Sequence, residues 1–293
     1  MQKRVRIGSR DSKLAVIQAE IIKQAILHQH PELQVEIITM KTTGDMILDK
    51  SLDQIGGKGL FVKELDQALL ADRIDLSVHS LKDMPMVQAE ELPILGYSKR
   101  EDPRDVIVYK EGIKEIPRNG LIGSSSKRRT LQLQESYPSC SFQGIRGNVQ
   151  TRLRKLQEGE YDAIVLAAAG LKRLGMQHCI GRILEVTEVL PAAGQGILAM
   201  QGRRGEDYSY LDEIVCQESA LVAVAERSFV RALDGGCSSP VAAYATLQGS
   251  QIELRGLYYD AASGKYAIGT SFGNADKGEQ LGEALAEKMR RAW

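Results

Sequence analysis

Three observations predict an α/β protein of two lobes followed by a small α+β domain. Strand-length apolar runs alternate with helical periodicity through the first hundred residues, the rhythm of a parallel sheet with helices on its faces. After a charged, proline-broken linker, Ser98-Lys99-Arg100-Glu101-Asp102-Pro103-Arg104, that rhythm begins again. From about residue 213 the order changes to a long helix, three strand-like runs and a closing helix.

In the first lobe Val5-Arg6-Ile7-Gly8 reads as a strand. Asp11 or Ser12 then caps a helix carrying Leu14, Ile17, Ile21 and Ile22, with Ala25 and Ile26 one turn on, spaced as one helical face. Val35-Glu36-Ile37-Ile38 is the next strand, residues 60–70 a helix with Phe61, Leu65 and Leu69 every fourth position, and residues 74–79 a third strand. The second lobe takes strands over 106–109, 121–123, 141–143 and 163–168 and helices over 129–135 and 149–158. The C-terminal region takes a helix over 213–233, strands over 241–247, 252–259 and 266–272, and a helix over 278–291. Two similar lobes suggest a cleft between them, and ligands of open α/β sheets sit off the carboxyl ends of the strands.

The 293 residues carry 38 basic and 38 acidic side chains. That neutrality argues against a nucleic-acid partner, which calls for a broad basic excess. No leader pattern and no apolar run near ~20 residues is present, so a cytoplasmic protein without a membrane segment is expected. Cys140, Cys179, Cys216 and Cys237 are far apart with no CxxC pair, and His28, His30, His79 and His178 are scattered. Neither a disulfide framework nor a metal site is expected.

Inside this neutral chain, residues 121–155 hold seven basic groups (Lys127, Arg128, Arg129, Arg146, Arg152, Arg154 and Lys155) against one acid, Glu135. Such a run can be a solvated face. Here Gly123-Ser124-Ser125-Ser126 follows a strand and leads directly into Lys127-Arg128-Arg129, so a helix start, hydroxyls and guanidiniums converge as an anion site. Ile145-Arg146-Gly147-Asn148 repeats the arrangement at the next strand end. Arginine forks suit carboxylates, and with aromatics at 5% of the chain base stacking is poorly served. A small polycarboxylate is the better ligand, and Arg10 and Lys58 could join from the facing lobe. Gly57-Lys58-Gly59 lacks the Ser or Thr of a phosphate loop. Gly194-Gln195-Gly196 follows Leu190-Pro191-Ala192-Ala193 and not a clean strand, so neither reads as a nucleotide site.

Two stretches carry the chemistry. Val78-His79-Ser80-Leu81-Lys82-Asp83-Met84-Pro85 puts a carboxylate just past an apolar strand in a turn closed by proline. Gly235-Gly236-Cys237-Ser238-Ser239-Pro240 puts a thiol in a turn with two conformationally permissive glycines. A carboxylate there can hold N–H donors and stabilise a developing cation, and a thiol can carry a covalent group. Asp83 could equally be a turn cap, and Cys237 an incidental loop thiol. His79 reads as packing or bonding locally at its strand end.

These segments, with Arg6-Ile7-Gly8-Ser9-Arg10-Asp11-Ser12-Lys13-Leu14-Ala15, Gly57-Lys58-Gly59-Leu60-Phe61, Ile145-Arg146-Gly147-Asn148-Val149-Gln150-Thr151-Arg152-Leu153 and Gly194-Gln195-Gly196, closely resemble the porphobilinogen deaminase family nearly end to end. The resemblance implies a transferase of tetrapyrrole and heme biosynthesis. It would join four porphobilinogen molecules head to tail, with loss of ammonia, into the linear hydroxymethylbilane. The chain would grow on a dipyrromethane cofactor held by a thioether to Cys237. Asp83 matches the catalytic aspartate, which assists ammonia loss and stabilises the azafulvenium cation. Lys82, Ser124, Ser126, Arg128, Arg129, Arg146 and Gly147 match cofactor contacts, and Arg10, Ser12, Gln18, Lys58, Arg152 and Arg173 match substrate contacts.

The resemblance also implies two lobes like type II periplasmic binding proteins, residues 1–98 with a returning 196–212 and residues 99–195, and a third domain, 213–293, presenting the cysteine. It implies a cytoplasmic monomer acting on porphobilinogen and polypyrrole intermediates, with no nucleic acid or membrane. Gln54 departs from the family lysine before Gly56-Gly57, and Lys127 from a usually apolar position. A non-catalytic two-lobed anion binder would use the same arginines and need neither Asp83 nor Cys237.

Overall fold

The computed structural model describes residues 4–46, 59, 61–235 and 240–292. The chain divides into two compact units, Met1–Arg100 with Ile197–Ala220, and Glu101–Gly196 with Leu221–Trp293.

Strand β1 (Arg4–Arg10) buries Val5 and Ile7 and leads into helix α1 (Lys13–Gln29). Ser12 caps α1, its hydroxyl accepting from Ala15 N at 3.4 Å. The buried face of α1 is Ala15, Gln18, Ala19, Ile22 and Ile26, so the expected stripe is met at Ile22 and Ile26 but not at Ile21, which is 42% exposed. Two alanines on that face let the helix lie close to the sheet, which rotates the larger Leu14 and Ile17 partly outward. Next come β2 (Gln34–Met40), the short α2 (Thr43–Met46), α3 (Lys63–Leu70) and β3 (Leu76–Ser80). One 3-10 turn, Leu81–Asp83, precedes β4 (Ile94–Tyr97). Helix α3 starts three residues later than its periodicity predicts, with Val62 at its cap and Glu64 and Asp66 in its first turn, where the dipole favours acids.

The second unit contributes β5 (Asp105–Tyr109), β6 (Leu121–Gly123), α4 (Lys127–Ser136), β7 (Ser141–Gln143), α5 (Val149–Gln157) and β8 (Ala163–Ala167). Then follow α6 (Ala168–Arg173) and β9 (Arg182–Leu184). The chain returns to the first unit with β10 (Leu198–Gln201), all four residues buried. Helix α7 (Gln217–Ala232) leads to β11 (Ala242–Gln248), β12 (Gln251–Asp260), β13 (Lys265–Asn274) and α8 (Gly278–Arg291). Residue 168 begins a helix instead of ending a strand, and β4, β9 and β10 are short strands that the sequence reading does not include.

The sheet of the first unit runs β2-β1-β3-β10-β4. Strands β2, β1 and β3 are parallel, and β10 is antiparallel to both its neighbours. The sheet expected to be parallel is therefore mixed, because its fourth strand arrives from far along the chain instead of through a helical crossover. The sheet of the second unit, β7-β6-β8-β5-β9, has the same arrangement of directions, three parallel strands and one reversed strand between them and the edge. Within this unit the C-terminal strands form an antiparallel sheet, β11-β12-β13. Phe229 of α7 lies so close over Gly256 that an added Cβ would sit 2.4 Å from its ring. Leu190, Ala242 and Leu257 form an apolar cluster joining the C-terminal sheet to the loop before Gly194.

Among the described residues no helix is long and apolar enough to cross a membrane.

Candidate active site

In the first unit the site is built at the end of β3. The 3-10 turn there is anchored at both ends: Leu81 and Met84 are buried, Leu81 N donates to Ile197 O at 3.0 Å, and Met84 N donates to Leu81 O at 3.1 Å. Between these anchors Lys82 and Asp83 are only partly covered. Asp83 lines a shallow recess together with Arg10, Gln18, Phe61, His79 and Ser80. Thus Arg10, Gln18 and Asp83, far apart in sequence, line one recess. Ser12 and Lys82 flank this group in sequence, Ser12 spending its hydroxyl on the α1 cap.

Each group is held by a neighbour. The Arg10 guanidinium carbon lies 4.3 Å from the centroid of the Phe61 ring, a cation–π contact that fixes its direction. Gln18 is buried, and its amide exchanges hydrogen bonds with the Ser80 hydroxyl at 2.9 and 3.2 Å. His79 Nε2 lies 2.9 Å from Ser77 Oγ. Burial above all, then the Arg10 charge, pushes His79 down to about 4 against a hydrogen bond with Gln201, so its ring is neutral near pH 7. Lys58, Gln54 and Cys237 lie outside the described residues.

In the second unit the arginine cluster sits at the carboxyl ends of adjacent parallel strands, β6 and β7. Ser124 N donates to Gln143 O at 2.9 Å and Ser125 Oγ to Ile145 O at 2.7 Å, tying the two strand-end loops together. Ser124 Oγ accepts from Ser126 N at 3.3 Å. Ser126 occupies the cap position of α4 without its side chain bonding a helix N–H. Gly147 has φ +110°, and Asn148 caps α5 by accepting from Thr151 N at 2.9 Å. The left-handed backbone at 147 favours glycine, and its carbonyl accepts from Arg152 Nε at 2.9 Å. Arg173 ends α6 and donates to Gly196 O at 2.6 Å. Burial pushes Arg173 down to about 10, with Glu101 acting the other way.

Arg128 and Arg129 are buried instead of lying on an open basic face. Both donate to Asp105, at 2.7 Å each, and Gln195 Nε2 adds a third bond to it at 2.9 Å. Arg128 also donates to Leu190 O at 2.7 Å and Arg129 to Val165 O at 3.1 Å. Burial opposes the Asp105 charge, but the two guanidiniums outweigh it and hold the carboxyl well below the usual range. Arg129 Nε is buried and has no hydrogen-bond partner among the described residues.

Sequence reasoning misses Asp105, Gln195 and Glu226. Asp105 is hidden at the end of a charged linker, and Gln195 stands in a motif that is weighed for nucleotides and matched to the family without a role for its side chain. Glu226 is buried on α7 and accepts from Gly194 N and Ala245 N, each at 2.7 Å. A charged residue within an apolar helical run is the signal that could have found it.

Residues 5–210 match the family model described as porphobilinogen deaminase, dipyromethane cofactor binding domain, and residues 220–291 match porphobilinogen deaminase, C-terminal domain. The chain belongs to the porphobilinogen deaminase family. It is 54% identical over 292 residues to the porphobilinogen deaminase of Ruminiclostridium josui, covering 98% of each chain. It is 44% identical to that of Chromobacterium violaceum, covering 97% of this chain and 93% of the relative. Among solved structures, the BvgS periplasmic VFT2 domain of Bordetella pertussis is 16% identical, with a TM-score of 0.41, over 73% of this chain and 85% of that one. The family resemblance read from the motifs is therefore borne out, and the first family domain is by its description the one that binds the dipyrromethane group.

The described donor set fits that group. Hydroxyls and guanidiniums gathered at a strand–helix junction suit a group that carries carboxylates, and the orphaned Arg129 Nε lies beside such a junction.

Proposed function

We propose that the chain condenses four porphobilinogen molecules head to tail, with loss of ammonia, to give hydroxymethylbilane, and that Asp83 is its catalytic carboxylate. The observation that carries this reading is the convergence of Arg10, Gln18 and Asp83 on one recess in a family member. When bound, the dipyrromethane group supplies the pyrrole end from which elongation proceeds.

The chain's own residues do the rest. Arg10, steadied on Phe61, binds a substrate carboxylate, with Ser12, Gln18, Lys58, Arg152 and Arg173 as further substrate contacts. Asp83 accepts N–H bonds from the substrate and stabilises the positive charge left as ammonia departs. One opposite charge at ~4 Å and an effective dielectric near 20 is worth on the order of 4 kcal/mol, which speeds the step only as far as the charge grows in the transition state. Ser124, Ser126, Arg128, Arg129, Arg146 and Gly147, with Lys82, hold the carboxylates of the cofactor, and the Cys237 thiol anchors it.

The reading takes residues 1–98 with 196–212, 99–195, and 213–293 as three domains, the start of the third supported by the gap between the two family matches at 210–220. It takes the protein as a cytoplasmic monomer without a nucleic-acid partner, the last supported by zero net charge.

The test is intact-protein mass of the purified chain beside Cys237→Ser. An excess equal to two porphobilinogen units less two ammonia, absent from the variant, supports the reading. An unmodified wild type that gains no mass from porphobilinogen refutes it.

A further inference from the structure

Behind the recess runs a line of polar side chains that the roles assigned above do not use: Asp66 on α3, Gln201 on β10, and Ser77 and His79 on β3. Gln201 is the ladder partner of Ser77, and strand alternation puts Ser77 and His79 on one face. Gln201 Nε2 donates to Leu92 O at 2.9 Å. The Leu92 carbonyl can only accept, so the amide nitrogen is on its side. The amide Oε1 therefore faces Ser77, whose hydroxyl donates to it at 3.4 Å. With that hydroxyl hydrogen spent, Ser77 Oγ meets His79 Nε2 at 2.9 Å as an acceptor. Nε2 must then carry the proton.

We propose that this one-way series of donors fixes His79 as the neutral Nε2–H tautomer, and that His79 serves in the recess as a hydrogen-bond acceptor, through Nδ1, for a substrate N–H group. Ser77 and Gln201 are then positioning residues. The proposal rests on the reading of the Asp83 recess as the catalytic centre. A substrate with pyrrole and aminomethyl N–H donors needs acceptors, and a reaction that develops positive charge is opposed by a second cation beside Arg10. The charged groups around the ring are Arg10 from the end of β1, Asp83 from the turn after β3, and Asp66 from α3 on the far side of Gln201. Arg10 and burial disfavour an imidazolium, and the amide of Gln201 separates the ring from the Asp66 carboxyl.

The experiment is nitrogen-15 NMR of the holoenzyme labelled at its four histidines, with the His79 signals assigned by their loss in His79→Gln. The expected spectrum is a neutral Nε2–H ring that does not titrate between pH 6 and 9. An imidazolium at pH 7, or the Nδ1–H tautomer, overturns the proposal. Ser77→Ala and Gln201→Leu should mix the tautomers, and unchanged His79 signals in both would overturn the assigned donor series. His79→Leu should lower kcat/KM about tenfold, the worth of one hydrogen bond, and His79→Gln, which keeps an acceptor, should recover part of it. Equal rates for His79→Leu and wild type would remove the substrate role while leaving the tautomer assignment intact. Full turnover in Asp83→Asn would bring down the catalytic reading of the recess itself, and the role of Nδ1 with it.

Discussion

Asp105 takes hydrogen bonds from Arg128, Arg129 and Gln195 while fully buried. Removing one partner of a buried ion cluster strands the other charges, at a cost of roughly 3–5 kcal/mol. Asp105→Leu should therefore lower the melting temperature strongly and impair cofactor loading, measured by thermal denaturation and intact mass; a near-normal melt would show that the arginines are held by their carbonyl contacts. Asp83→Asn should behave in the opposite way, keeping the wild-type melt while turnover falls by about two powers of ten or more. Normal rates in that variant would end the role assigned to Asp83. The contrast shows what was legible at this scale. Asp83, Arg10 and Gln18 occupy recognisable motifs at strand ends and a helix face, so their meeting could be anticipated. Asp105 lies one residue past a run of surface-like charges, and nothing in its neighbours announces that two arginines from α4 will close over it.

The elements show a similar split between local and long-range information. A cap candidate and apolar spacing placed α1, because the two signals lie within a few residues of each other. Ser12→Ala removes the α1 cap and should cost about 1 kcal/mol, read by urea denaturation of wild type and variant side by side. Gly256 looks like any strand glycine in the sequence, yet Phe229 rests on it. Gly256→Ala should push α7 off the C-terminal sheet and destabilise by roughly 1–3 kcal/mol, and Phe229→Leu should partly restore the double variant by making room. Strand β10 was not legible because all of its residues are buried and it shows no alternation; only its partners β3 and β4, a hundred residues upstream, make it a strand.

At the scale of the whole molecule, two titrations in the first unit oppose each other. His79 is held near 4, below the ordinary value of 6.5, so the unfolded chain takes up its proton first and stability falls as the pH drops from 6.5 toward 4. Asp66 is pushed up by burial to about 6, above the ordinary 3.8, so the folded chain protonates first and stability rises as the pH drops from 6 toward 4. Their contributions should offset, leaving the acid limb of stability shallow in that window. Asp66→Asn removes only the second contribution, and its melting temperature should fall more steeply between pH 6.5 and 4.5 than that of wild type; parallel slopes would refute this linkage. The sequence made the two-lobed plan legible through its repeated rhythm, but not that the reversed strand comes first in one sheet and last in the other. This difference bears on synthesis. A nascent chain of 190 residues already contains every strand of the sheet β7-β6-β8-β5-β9, whereas β4 still lacks β10, the strand that joins it to β3. The lobe whose strands emerge first from the ribosome is thus completed second, with an open sheet edge exposed until residue 201 has been added.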